Sequence, residues 1–160
     1  MTQQNDHELI YSVPNQWKLP LYPASQHSMI EDAILSNVFE ALVQRGESGL
    51  ILPLAAKSFN FSDDFKTLEF VIDDRRKFSD GTKLTSYDFK RSWEEGLRMA
   101  ANSTNSNLYD VTKFIEGADK FEDKGTLSGI SAPTPNILVL NFSRRFRMAL
   151  THLTGARFSA

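Results

Sequence analysis

Residues 59–99 read FNFSDDFKTLEFVIDDRRKFSDGTKLTSYDFKRSWEEGLRM, and this run decides the fold because strand, turn and capped helix follow one another within it. From Thr67 to Ile72 the residues alternate, with Leu68, Phe70 and Ile72 on one face and Thr67, Glu69 and Val71 on the other, the period-2 signature of a strand. Phe59 and Phe61 repeat that spacing just upstream. Between the two runs, Ser62-Asp63-Asp64 offers side-chain oxygens able to bond their own backbone, so a hairpin that brings aromatic faces together is expected. Ser79-Asp80-Gly81-Thr82 is a second turn, with a glycine where positive φ is needed. A helix then opens at Thr85, whose hydroxyl is placed to accept a bond from the third helical amide while Asp88 closes a capping box. Phe89, Trp93 and Leu97 mark its buried stripe, and Glu94 and Arg98 are spaced as a surface ion pair.

Working outward, Ser28 and Glu31 form another capping box, and Ile30, Ile34, Val38 and Leu42, with Leu35 beside them, predict a helical stripe. Gly46-Glu47-Ser48-Gly49 reads as a hairpin turn between Val43 and Leu50 to Leu52. Further toward the N-terminus, Glu8 to Val13 reads as a short strand ahead of Pro14. Downstream of the central helix, Asn102 to Asn107 is polar enough for a loop. Phe114, Ile115, Ala118 and Phe121 predict a short amphipathic helix ended by Gly125. Ile130 and the alternating run Ile137 to Phe142 predict a second hairpin, with Pro133 and Pro135 confined to its turn. A terminal helix is expected over Ser143 to Ala160, with Arg144, Arg145 and Arg147 on its solvated face.

The ordered run LPLAAKSF, hairpin, DDRRKFSDGTKLTSYDFKRSWEEGL resembles the signature region of the family 5 extracellular solute-binding proteins, the oligopeptide-, dipeptide- and nickel-binding receptors of ABC importers. Phe59 and Phe78 stand where that family usually has tryptophan, Lys83 where it has proline and Ser86 where it has alanine. Asn37-Val38-Phe39-Glu40-Ala41-Leu42 is similar to its N-x-Y/F-E-x-L, and Leu21-Tyr22-Pro23 to its T-L-D-P with tyrosine in place of aspartate. The resemblance implies an α/β, α+β-like lobe with mixed sheets, hairpins and packed helices. This lobe is the N-terminal part of a two-lobed periplasmic-binding-protein-like fold, with residues 1–160 as one compact unit and the second lobe absent.

The same resemblance implies a function: the substrate-binding component of a peptide importer, acting as a monomer at the periplasmic or extracellular face. Its partners would be a peptide or similar small solute and a membrane permease. Spacing from Phe39-Glu40 to Ser58-Phe59 matches that of the oligopeptide receptors without a gap. Their equivalent turn lends backbone groups to the bound peptide, which carries that role to Glu47, Ser48 and Gly49; a plain solvent-exposed turn is the other reading. Tyr109 stands where relatives often offer an aromatic to the ligand, and a core tyrosine is the alternative. A freestanding interaction or carbohydrate-binding module reusing the lobe is the competing function.

Composition narrows the chemistry. The chain has 160 residues, enough for one ordinary core, and a net charge of −2 that gives no global attraction to nucleic acid or anionic membrane. With no cysteine, disulfides and thiolate metal sites are excluded. His7, His27 and His152 lie too far apart for a ligand set, so no metal or other cofactor is expected. Asp63, Asp64, Asp73, Asp74 and Asp80 each adjoin a turn and fit no calcium loop, and no nucleophile elbow or phosphate-binding glycine loop occurs. No catalytic residue is therefore assigned. The segment MTQQNDHELIYSV lacks a cationic stretch followed by an apolar one, so the export signal that such receptors carry is expected to have been removed.

Overall fold

Four antiparallel strands form the centre, in the order β3 (Ala56–Phe61), β4 (Thr67–Ile72), β6 (Ile137–Asn141) and β5 (Ile130–Thr134). The computed structural model describes residues 23, 29–101, 112–121 and 125–160. The readings that fall on Glu8 to Val13, Leu21-Tyr22, Ser28, Asn102 to Asn107 and Tyr109 lie outside the described residues. In β4, Leu68, Phe70 and Ile72 are buried, as the alternation requires, while Glu69 is exposed. Phe59 lies opposite Phe70 across the β3–β4 pair, and Leu138 and Leu140 of β6 oppose Phe70 and Leu68 on the other side. A continuous apolar face results.

Helix α2 (Ser86–Ala101) covers that face and sends Phe89, Trp93 and Leu97 into the core. Its start is tied down twice. Asp88 Oδ2 accepts the Thr85 N–H at 2.9 Å and the Thr85 hydroxyl at 2.7 Å. The hydroxyl thus donates to the carboxylate, the stronger acceptor, instead of receiving a helical amide as the capping box predicts. Ser86, fully buried, donates its hydroxyl to Thr134 O at 2.6 Å and its amide to Pro135 O at 2.8 Å, which fixes α2 against the β5–β6 turn.

Both turns of the central stretch form. Ser62 Oγ accepts the Thr67 amide at 2.9 Å and donates to Asp64 Oδ1, which also accepts the Lys66 amide. Asp80 Oδ1 accepts the Thr82 amide at 2.8 Å, and Gly81 adopts φ +86°. A Cβ at Gly81 would meet nothing within 4 Å, so the backbone conformation alone restricts this site. Gly81→Val is expected to destabilise by about 1–2 kcal/mol in urea denaturation. An unchanged midpoint would show that the turn relaxes freely.

Tertiary pairing overrides several local expectations. The first helix, α1 (Met29–Leu35), stops short of the expected stripe: Leu35 is buried, Val38 is 73% exposed, and Leu42 is buried from the extended chain beyond. Asn37 Nδ2 closes the helix end by donating to Ala33 O at 2.6 Å. The amphipathic helix expected around Phe114 to Phe121 is reduced to turns, because Gly117 takes φ +80° and Glu116 N–H donates to Asn141 O at the end of β6. Only Ala118–Lys120 keeps a 3₁₀ turn. Pro135 occupies the β5–β6 turn, but Pro133 lies within β5, an edge strand whose register shifts between Ser131 and Thr134. A bulged edge is where the missing amide costs least. The terminal helix is likewise only one turn, α3 (Ala149–His152), followed by a 3₁₀ turn at Ala156–Phe158 and a bridge from Ser159 to Ala41. Glu94 is buried and not the surface partner expected of Arg98, which bonds Glu95 instead.

Candidate functional site

Strands β1 (Val43–Arg45) and β2 (Ile51–Pro53) form a separate two-stranded sheet that carries the turn of interest. Gly46 N–H donates to Leu50 O at 2.8 Å, Gly49 N–H to Gly46 O at 2.9 Å, and Gly49 takes φ +78°. At the base, Leu54 N–H donates to Leu42 O at 3.0 Å. Because hydrogen-bonded pairs alternate in an antiparallel ladder, Gln44 and Leu52 face each other between these two bonds. Arg45 consequently turns its backbone groups to the outer edge, next to Glu47, Ser48 and Gly49. All four are exposed, as are Leu50 and Leu52 on the returning strand. The turn can therefore offer main-chain donors and acceptors, with apolar surface alongside. Tyr109 lies outside the described residues.

A second feature escapes sequence reasoning. A pocket of about 360 Å³ lies at the base of the hairpin, between Val38, Phe39 and Glu40 on one side and Lys77, Phe78 and Ser79 on the other. Glu40 pairs with Arg76 at 2.8 Å, and Arg76 also donates to Leu54 O at 3.0 Å, so one guanidinium ties the α1–β1 connection to the hairpin. The pocket's lining is mixed, with Val38, Phe39, Phe78, Leu84 and Ala160 as apolar groups and Glu40, Lys77 and Ser79 as polar ones. Phe39-Glu40 and Phe78 belong to the motifs that carry the family resemblance. Their convergence across about forty residues of sequence had no local signal.

Three carboxylates in the turns, Asp64, Asp73 and Asp80, are held charged. Asp73, nearly buried, accepts Arg75 Nε at 2.9 Å, Nη2 at 2.7 Å and the Arg75 amide at 3.1 Å. These bonds hold its carboxyl far below the usual carboxylate range. Ser62 does the same for Asp64 and Thr82 for Asp80, more mildly. A depressed folded-state pKa contributes stability that is present above the unfolded value, about 3.9 for Asp, and is lost as pH falls below it. Asp73→Asn is expected to flatten the decline in stability below about pH 4 while leaving the neutral-to-alkaline limb parallel to wild type. Denaturant titrations across the acid range check this, and parallel acid limbs for variant and wild type would refute it.

Among the described residues no group of three His, Cys, Asp or Glu is placed to hold a metal ion, and no helix is long and apolar enough to cross a membrane.

Residues 51–159 match the family described as bacterial extracellular solute-binding proteins, family 5 middle. The chain is 35% identical over 74 residues to the periplasmic murein peptide-binding protein MppA of Escherichia coli K12, a span of 46% of this chain and 14% of that protein. It is 26% identical over 117 residues to the oligopeptide-binding protein OppA of Bacillus subtilis 168, covering 72% of this chain and 21% of the relative. Among solved structures, the E. coli murein tripeptide binding protein MppA superposes with a TM-score of 0.76 at 26% identity, over 88% of this chain and 28% of its own. Haemophilus influenzae OppA in complex with the peptide RPPGFSPFR shares the fold, with a TM-score of 0.75 at 24% identity, over 86% and 27% of the two chains. The chain thus spans between about a seventh and under a third of the length of these relatives.

Proposed function

Since this chain belongs to the bacterial extracellular solute-binding proteins of family 5, we propose that it is part of the substrate-binding component of an ABC-type peptide importer. On this reading it works outside the cytoplasmic membrane as a monomer and performs no catalysis. Residues 1–160 act as one unit that supplies one wall of the ligand cleft in a receptor of the relatives' length. The single observation that carries the site assignment is the exposed Glu47-Ser48-Gly49 turn beside the outward-facing backbone of Arg45. An extended peptide aligned there would gain main-chain hydrogen bonds in the manner of an added strand, with Leu50 and Leu52 as apolar neighbours. Main-chain recognition of this kind tolerates varied side chains, which suits a peptide receptor. Tyr109 is proposed as a further contact on the strength of the family alone.

One wall gives weak binding. Two or three net hydrogen bonds of about 0.5–1.5 kcal/mol each total about 1–4.5 kcal/mol, at best level with the low end of association costs of about 4–15 kcal/mol. Residues 1–160 are expected to bind a mixed pool of tri- to pentapeptides with millimolar or weaker affinity. Amide shifts on peptide titration should be confined to the neighbourhood of Arg45 to Gly49. Micromolar binding by calorimetry would overturn the one-wall reading, and shifts centred elsewhere would overturn the assignment to the turn.

A further inference from the structure

The arginines Arg144, Arg145 and Arg147 do not lie on a helix face, as the sequence suggests. They follow β6 as an irregular segment and stack on two phenylalanines contributed by distant parts of the chain. The Arg144 guanidinium lies 4.2 Å from the Phe114 ring centroid, and Arg147 and Arg145 lie 4.4 Å and 5.7 Å from that of Phe65. Phe65 is the one non-glycine residue with positive φ among the described residues, at 56°. That backbone is strained for a bulky side chain. It holds the ring against Phe61, with centroids 5.3 Å apart, and under the two arginines.

Phe114 is braced in turn by Phe146 at 4.6 Å. The cations therefore rest on fixed aromatic platforms. All three arginines are exposed and none has a carboxylate partner among the described residues. Arg145 Nε donates to Asp64 O at 3.3 Å, a bond that does not use its terminal nitrogens. Lys66 is exposed beside Phe65, and Lys113 lies 5.5 Å from the Phe114 centroid. Among the described residues the acidic side chains nearest in sequence to the two platforms are Asp63, Asp64 and the exposed Glu116, and Asp64 is engaged by Ser62 and the Lys66 amide. Met148, next to Arg147, is 56% exposed.

We propose that this corner is a docking surface for a lipid bilayer carrying anionic headgroups. A guanidinium that uses its face for stacking keeps its in-plane N–H groups, which match the paired oxygens of a phosphodiester. Basic side chains around an exposed apolar tip are the arrangement that engages headgroups and the edge of the acyl region together. The chain as a whole carries a net charge of −2, so the attraction comes from this local basic face and not from the molecule's overall charge. The inference rests on these residues and is independent of the peptide-binding turn.

The test is sedimentation of residues 1–160 with phosphatidylcholine vesicles, with and without about a third phosphatidylglycerol, at about 50 mM salt. The expected result is at least about tenfold stronger partition onto the anionic vesicles, abolished at about 0.5 M salt. The triple variant Arg144→Gln, Arg145→Gln, Arg147→Gln should lose it, while the corresponding triple Lys variant retains most of it. Arg147→Glu, a single change at an exposed site, gives a second reading if the triple variant fails to fold, with an expected drop of several-fold. Equal partition onto both vesicle types, or charge-changing variants that bind like wild type, would overturn the proposal. So would retention on immobilised polyglutamate without vesicle binding, which would assign the corner to an acidic protein surface.

Discussion

Trp93→Ala is expected to lower the stability of the fold by about 3–5 kcal/mol, the range for removing a large aromatic from a packed site. The indole is 1% exposed and lies at the junction of α2 with the 3₁₀ turn at Ala156–Phe158. Its ring meets Phe89 edge-on at 6.5 Å and Phe158 edge-on at 5.6 Å, so truncation removes two aromatic contacts as well as buried area. Neither neighbour can fill the space alone, because Phe89 is fixed on the same helix and Phe158 in a tight turn. Among the described residues the indole Nε1 has no hydrogen-bond partner, so the loss is one of packing and not of polar contacts. It follows that Trp93→Phe, which also removes that unpaired N–H, costs much less than Trp93→Ala. Against a total stability of about 5–15 kcal/mol, the alanine variant approaches global unfolding. Guanidinium denaturation of both variants measures the difference, and an alanine midpoint equal to wild type would show the site to be loosely packed.

Sequence legibility followed the range of the forces involved. The β3–β4 hairpin, both Asp-containing turns and the Phe89, Trp93, Leu97 stripe all depend on residues within a few positions of one another, and all form as expected. Where a local pattern competes with a distant backbone partner, the distant partner decides. Glu116 and Phe114 satisfy Asn141 and Ser143, and the helical periodicity around them is lost. The arginines look like a solvated helix face until Phe65 and Phe114, far back in sequence, are brought beneath them.

For the site, the Glu47-Ser48-Gly49 turn was readable from its two flanking glycines, and the structure confirms its geometry and exposure. The ligand-binding role proposed for it rests only on the family likeness, since no turn chemistry distinguishes a ligand-bearing hairpin from a plain one. The pocket between Phe39 and Phe78 had no periodic signal, because its walls come from segments about forty residues apart in sequence.

Glu94→Ala is expected to cost about 2–4 kcal/mol, an effect that spacing alone does not suggest. An acid four residues before Arg98 reads as a surface pair worth a few tenths of a kcal/mol. In the fold, its Oε1 accepts the Leu127 N–H at 2.8 Å and the ammonium of Lys90, which donates in addition to Ile130 O at 3.1 Å. One buried carboxylate thereby joins α2 to the segment entering β5. Alanine would strand the Leu127 amide, whose residue is 1% exposed, and leave Lys90 with a carbonyl alone. Lys90 keeps about a quarter of its side chain in solvent, which relieves part of the charge penalty and sets the estimate below that for a fully buried pair. Glu94→Gln retains a carbonyl oxygen for Leu127 and should lose less. Pairing Glu94→Leu with Lys90→Met should recover part of the loss, because no buried charge then lacks a partner. Hydrogen exchange adds a local readout: the Leu127 amide should exchange faster in Glu94→Ala than in Glu95→Ala, whose carboxylate is exposed. Equal stability and equal Leu127 exchange in those two variants would show that the carboxylate does not hold α2 to β5.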